Sequence, residues 1–164
     1  MIASTWFRIV SKRRTGREVL RSQFGRFHDD PEADPSSYVA DGLLTAWLEV
    51  TAHIGVVPAN PEAFRGWRVE VPPEGLLDFR SAKERGRWKI SEEELLQDPA
   101  PLRLREVTRP IRMERKHHGL VYASVRNRPH GICAVLFLEN FAQEPTCEPV
   151  PNEDWKNFIR EVTQ

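Results

Sequence analysis

Residues 119–138 read GLVYASVRNRPHGICAVLFL, and this stretch decides the class of fold. Leu120–Ser124 is a short β-prone run, followed by a polar turn containing proline and glycine. Ile132–Leu138 is then apolar throughout, which predicts a strand buried on both faces. Such a strand needs cover above and below, and the rest of the chain must supply it. Downstream, Asn152 is placed to cap a terminal helix over about 152–163, with Trp155, Phe158, Ile159 and Val162 on one side. Upstream, Thr108 to His118 predicts a helix with Pro110 in its first turn and Gly119 just past its end. Ser91 with Glu94 three residues on is a capping box that opens a short helix through Leu96. Trp67–Val71 alternates apolar and polar residues, the pattern of a half-buried strand.

The clearest helix lies earlier. Asp41 is its predicted N-cap, Leu44, Trp47, Leu48 and Thr51 fall at i, i+3, i+4 and i+7, and Gly55 ends it. Trp6–Val10 and Ser36–Ala40 predict short strands, separated by a basic helix or loop and then by an acidic loop over 28–35. Strands and helices are mixed without a regular βαβ rhythm, so the class is α+β, and residues 1–164 form a single domain of ordinary size.

The chain carries 24 basic and 24 acidic side chains in 164 residues, and 40% of its residues are hydrophobic. That composition excludes an intrinsically disordered chain, and no apolar run is long enough to span a membrane. The first residues, MIASTWFRIVSKRR, place no apolar core after a basic start, the wrong order for a signal peptide. Cys133 and Cys147 are too few for a disulfide framework, which points to the cytoplasm. The net charge of zero hides blocks. Residues 1–26 hold seven Lys/Arg against Glu18 alone, residues 27–62 hold seven Asp/Glu and no Lys or Arg, and residues 103–130 hold eight basic against two acidic. Alternating blocks argue against a broad positive surface for nucleic acid and fit a cationic pocket for an anionic small molecule, or a partner covering one face.

No phosphate loop, dinucleotide fingerprint, nucleophile elbow or paired CxxC occurs. His117, His118, His130 and Cys133 could be metal ligands, but adjacent helical histidines point about 100° apart and the spacing lacks CxxC or HxxxH, so no metal site is predicted. The remaining candidates are Arg26, Tyr38, Glu49, His53 and Ser124. Glu49 sits among the apolar residues of the clearest helix, and His53 at i+4 shares its face within hydrogen-bonding reach. On spacing alone such a pair is more often surface decoration than an active site.

Order and spacing add to this. FGRFH (24–28), SSYVA (36–40), TAWLEVTAHIG (45–55) and GLVYASVRN (119–127), the last followed by an apolar strand, resemble the RES domain family. Members of that family show a Gly-Gly-Arg-Trp-Asn turn, a Leu-Tyr-Leu-Ala segment, an Ala-Leu-x-Glu-Val-x-x-His helix and a Tyr-x-Ser-x-Arg stretch before a late strand. Carried over by position, Arg26, Tyr38, Glu49 and Ser124 match the functional residues, His53 the accompanying histidine, and Arg8 an arginine of the first strand. The core motifs span 6–138, with a loosely matched middle. Phe27 and His28 stand where Trp and Asn are usual, and the acidic loop 29–35 replaces a Pro-Gly turn, which predicts an altered pocket rim.

The resemblance implies an ADP-ribosyltransferase-like fold of small mixed or antiparallel sheets flanked by helices. It implies a toxin that splits nicotinamide adenine dinucleotide (NAD) at the nicotinamide–ribose bond as a hydrolase or phosphorylase, with NAD as substrate and no cofactor or metal. The alternatives are transfer of ADP-ribose to a protein and a non-catalytic nucleotide- or partner-binding module. It further implies an Xre-like antitoxin partner, through which alone nucleic acid would be met. A rival reading, a toxin directed at nucleic acid, draws on the basic segments 1–26 and 103–130. In the implied mechanism Glu49 stabilises an oxocarbenium-like transition state. Ser124 fixes the reactive atom against it, and His53 orients the carboxylate. Tyr38 stacks on the nicotinamide ring, and Arg8 and Arg26 grip the pyrophosphate.

Overall fold

The computed structural model describes residues 1–23, 25–54 and 60–164, the side chains of residues 53 and 54 excepted. Among the described residues seven strands form one sheet: β1 (Thr5–Ser11), β2 (Ser36–Ala40), β3 (Phe64–Glu70), β4 (Leu76–Asp78), β5 (Gly119–Ala123), β6 (Ile132–Phe137) and β7 (Cys147–Pro149). The spatial order is β4-β5-β6-β2-β1-β3-β7, and every pairing is antiparallel except β4 with β5. The α-helices among the described residues are α1 (Leu43–Ile54), α2 (Ala82–Trp88), α3 (Glu92–Leu96), α4 (Arg103–Met113) and α5 (Asn152–Thr163). The expected α+β class, with a mixed, mostly antiparallel sheet flanked by helices, is what the chain adopts. No helix among the described residues is long and apolar enough to cross a membrane.

The stretch 132–138 behaves as its composition demands. Cys133, Val135 and Phe137 enter the cluster that contains Trp47, Ile111, Trp155 and Phe158, whereas Ala134, Leu136 and Leu138 enter the opposite cluster with Trp6, Val39 and Val69. The two-residue period of the strand thus feeds both faces. Gly119, at the start of β5, is required by close approach: a Cβ there would run into the Val135 carbonyl of β6. The Ser91–Glu94 capping box is present, with Glu94 N–H donating to Ser91 Oγ at 3.1 Å and Ser91 N–H donating to Glu94 Oε2 at 2.8 Å. Helix α5 buries Trp155 and Phe158 as its spacing predicts.

Four expectations are corrected, the first being the cap of α5: Asn152 is the first helical residue, and Pro151 stands at the N-cap position with no side-chain hydrogen bond. Asp41 does not cap α1, because its Oδ1 accepts the Ile132 N–H at 3.2 Å and ties the helix entrance to β6. The buried face of α1 is Leu43, Ala46, Trp47 and Val50, leaving Leu44 exposed. The apolar set has two possible phases sharing Trp47, and packing selects the one that lays Leu43 beside Gly66 of β3. The helix expected over 108–118 is α4, one turn earlier, with Pro110 in its C-terminal half. It cannot reach 118, because His118 N–H already donates to the Gly75 carbonyl beside β4.

The feature that positions the site is a seam. β1 and β3 pair along seven residues, but β1 and β2 pair only at Phe7↔Ala40. Beyond that point the strands diverge, and Ser22 takes the place that β1 vacates, bridging to Ser36. Arg8 closes the gap: its Nε donates to the Val19 carbonyl at 2.7 Å, Nη1 to Tyr38 at 2.8 Å and Nη2 to Arg21 at 3.2 Å.

Candidate active site

A cavity of about 650 Å³ opens where β1 and β2 part, within the size range of small-molecule and cofactor sites. Its walls come from β1, from β2, from α1 on one side, and from the segment joining α3 to α4.

Glu49 enters from α1 and lines the cavity. Its Oε1 accepts the Ser124 hydroxyl at 2.6 Å, and the Cys133 thiol lies 3.7 Å from the same oxygen. Ser124 stands behind Glu49, only 1% exposed. Its Oγ accepts the N–H groups of Arg126 (3.1 Å) and Asn127 (3.0 Å), so its own hydrogen is committed to the carboxylate. Ser124 is therefore built as a donor that orients Glu49, not as a nucleophile. The same loop is pinned to α1 a second time, where Asn127 Nδ2 donates to Thr45 Oγ1 at 2.9 Å. The expected partnership of Glu49 with His53 lies outside the described residues, because the His53 side chain does.

Tyr38 lines the opposite wall. Its hydroxyl accepts the Phe27 N–H at 2.9 Å and meets His28 Nδ1 at 3.0 Å. His28 Nε2 lies 3.1 Å from the Ser22 carbonyl, which can only accept, so Nε2 carries the proton and Nδ1 accepts from the tyrosine. Burial pushes the Tyr38 phenol well up and the His28 imidazole down, so both are neutral near pH 7. The departures at 27 and 28 thus have a structural meaning. Phe27 packs edge-on to Tyr122 at 4.9 Å, and His28 props Tyr38. Gly25 is needed beside them, since a Cβ there would overlap the Tyr38 ring.

Arg26 lines the cavity while its Nη1 donates to the carbonyls of Gln97 (2.6 Å) and Leu95 (3.3 Å). Arg8 also lines it, but a carbonyl engages each of its nitrogens. Burial, with Arg14 nearby, lowers its pKa to about 10. Its first task is to hold the seam; one N–H on each terminal nitrogen is left over. The structure therefore brings Arg8, Arg26, Tyr38 and Glu49 to one cavity, with Ser124 directly behind.

Further lining residues to which the sequence assigns no pocket role are Tyr122 of β5, Arg126 beyond its end, Arg14, Arg105 and Asp98, and Cys133 of β6, weighed above only as a metal ligand, joins them. For Tyr122 and Arg126 the signal is the Tyr-x-Ser-x-Arg stretch that brackets Ser124. Among the described residues, five arginines and two carboxylates line the cavity, a cationic enclosure in a chain of zero net charge. Burial, and then Glu49, pushes the Cys133 thiol up, so it is held as a neutral S–H. The histidines considered as ligands lie elsewhere: the His118 ring stacks on Phe141 at 4.4 Å. Among the described residues no group of three metal-binding side chains converges.

A family model described as the RES domain matches residues 4–156. Among solved structures, the chain is similar to one in the crystal structure of the M. tuberculosis MbcT–MbcA toxin–antitoxin complex. The TM-score is 0.64 at 16% sequence identity, covering 94% of this chain and 87% of that one. At that identity the likeness concerns the fold. No curated protein matches the sequence.

Proposed function

The chain belongs to the RES domain family, and from that premise we propose that it is the toxin of a toxin–antitoxin pair and cleaves NAD at the nicotinamide–ribose bond. The observation that carries the reading is the carboxylate of Glu49, held through Ser124 at the wall of a cavity lined by five arginines. A dinucleotide brings two negative charges at its pyrophosphate, which an arginine-rich enclosure favours. It also brings a cationic nicotinamide, which suits a carboxylate.

In the proposed step the bond from ribose C1′ to the pyridinium nitrogen breaks, and its electron pair leaves with neutral nicotinamide. Positive charge grows on C1′ and the ring oxygen, and Glu49 stabilises it because the Ser124 hydrogen bond fixes the carboxylate beforehand. An acceptor oxygen then bonds to C1′ and loses its proton. Tyr38, neutral and immobilised by His28 and Phe27 N–H, offers a ring face for the nicotinamide. Arg26 takes the pyrophosphate, and Arg8 adds charge from behind the seam. An antitoxin that covers the cavity is the partner this reading calls for, in keeping with the complex in which the similar fold was solved.

The test is to incubate the purified chain with NAD and follow nicotinamide release, with and without phosphate, weighing the second product by mass. Free nicotinamide with ADP-ribose indicates water as acceptor, ADP-ribose phosphate indicates phosphate, and mass added to a protein indicates transfer. No nicotinamide under any condition overturns the enzymatic reading in favour of a binding module.

A further inference from the structure

The segment between α3 and α4 lends Asp98, Pro99 and Ala100 to the cavity wall, with 97–99 exposed, and is held there by arginines from elsewhere in the chain. Arg26 donates to the carbonyls of Leu95 and Gln97, Arg128 donates to that of Leu96 at 3.0 Å, and Arg126 forms an ion pair with Asp98. Two of these, Arg26 and Arg126, also line the cavity, as does Asp98 itself. Of the two lining carboxylates among the described residues, Glu49 is tied to Ser124. Asp98 stands at the mouth, with its side chain 40% exposed, opposite a guanidinium that is 37% exposed.

We propose that Asp98 holds the place of a ligand phosphate: its carboxylate and the ligand's anionic group compete for Arg126, so the 97–100 strap screens the cavity against weak anions and yields to a pyrophosphate. The ligand class rests on the reading of the cavity as a dinucleotide site; the competition itself rests on the ion pair. Asp98 Oδ2 occupies Nη2 of Arg126, and a phosphate that takes the paired N–H groups of the guanidinium needs that same nitrogen, so it must displace the carboxylate. A pyrophosphate brings more charge than the carboxylate it displaces and can engage Arg26 as well. A monoanion brings no more and gains nothing by the exchange.

The sign of the effect separates this from a structural salt bridge. If the pair only braced the strap, its removal would weaken binding or leave it unchanged; if Asp98 competes, its removal strengthens binding. The experiment measures inorganic pyrophosphate binding by calorimetry for the parent chain, Asp98→Asn, Arg126→Ala and the double variant. We expect Asp98→Asn to bind about two- to fivefold more tightly, the range set by a partly exposed ion pair, with the gain shrinking at high salt. In the Arg126→Ala background the Asp98→Asn gain should disappear. Equal or weaker binding by Asp98→Asn, absence of pyrophosphate binding in both proteins, or a gain that persists without Arg126 would each overturn the proposal. Nicotinamide release by the parent chain, followed in parallel, reports on the enzymatic reading separately, because pyrophosphate binding does not depend on turnover.

Discussion

Replacing Glu49 by glutamine removes one negative charge and little else. The new amide would still offer a carbonyl oxygen to the Ser124 hydroxyl now 2.6 Å from Oε1, and to the Cys133 thiol beyond it. Ser124 would keep its two backbone donors, so the α1 to β5–β6 connection is preserved. What is lost is the interaction of a full charge with the cation that forms at the anomeric carbon. At an effective dielectric near 20, unit charges about 4 Å apart attract by about 4 kcal/mol. The amide dipole recovers part of that, leaving a loss of roughly 3–4 kcal/mol, which is a fall in kcat of about 10²–10³-fold. KM for NAD should stay within about threefold, and the thermal midpoint within about 3 °C, since no contact is broken. The assay is nicotinamide release at saturating NAD, with the melt recorded on the same sample. A Glu49→Gln protein turning over within about tenfold of its parent would refute the electrostatic role; a large loss of thermal stability would show that the charge serves the fold.

Ser124→Ala should strand the N–H groups of Arg126 and Asn127 as well as free Glu49, costing about 1–3 kcal/mol in a urea titration and at least about tenfold in kcat; an unchanged kcat would show that the carboxylate needs no orienting donor. Arg8→Met should leave the Val19 and Tyr38 carbonyls without their donor at the seam, while Arg14 still donates to that of Arg21, and destabilise the chain by about 2–4 kcal/mol; a urea midpoint equal to the parent's would mean that the seam holds without it. Because burial depresses the His28 pKa, the unfolded chain takes up a proton first as pH falls. The stability this residue contributes is complete above about pH 6.5 and drains away as pH drops through its lowered folded value. His117, also depressed, acts in the same direction. His28→Asn should therefore flatten the loss of thermal midpoint between about pH 7.5 and 5, and a slope identical to the parent's would contradict the buried neutral imidazole.

What could be read from sequence was whatever a linear pattern encodes. The double-sided burial of β6 follows from an unbroken apolar run, and Ser91 with Glu94 specifies its own cap. Glu49, Ser124, Arg26 and Tyr38 could be picked out because the short runs that carry them resemble, in order and spacing, the motifs of the RES domain family. The phase of α1 could not, because two apolar stripes share Trp47 and tertiary packing, which lays Leu43 beside Gly66, chooses between them. Helix α4 was misplaced because Thr108 and Pro110 look like a start, whereas the Thr108 hydroxyl donates back to the Leu104 carbonyl at 2.5 Å, a habit of threonine inside a helix. Asp98, Arg14 and Arg105 owe their place in the cavity to tertiary geometry alone. Strands β4 and β7, three residues each, are too short to leave a periodic trace.

The anchoring of Arg8 has one more consequence. Its three acceptors are peptide oxygens of residues 19, 21 and 38, and peptide oxygens are common to all twenty amino acids. The aperture between the diverging strands is thus set independently of which side chains stand around it. Mutation can redecorate the chamber, exchanging one ligand preference for another, without moving its frame.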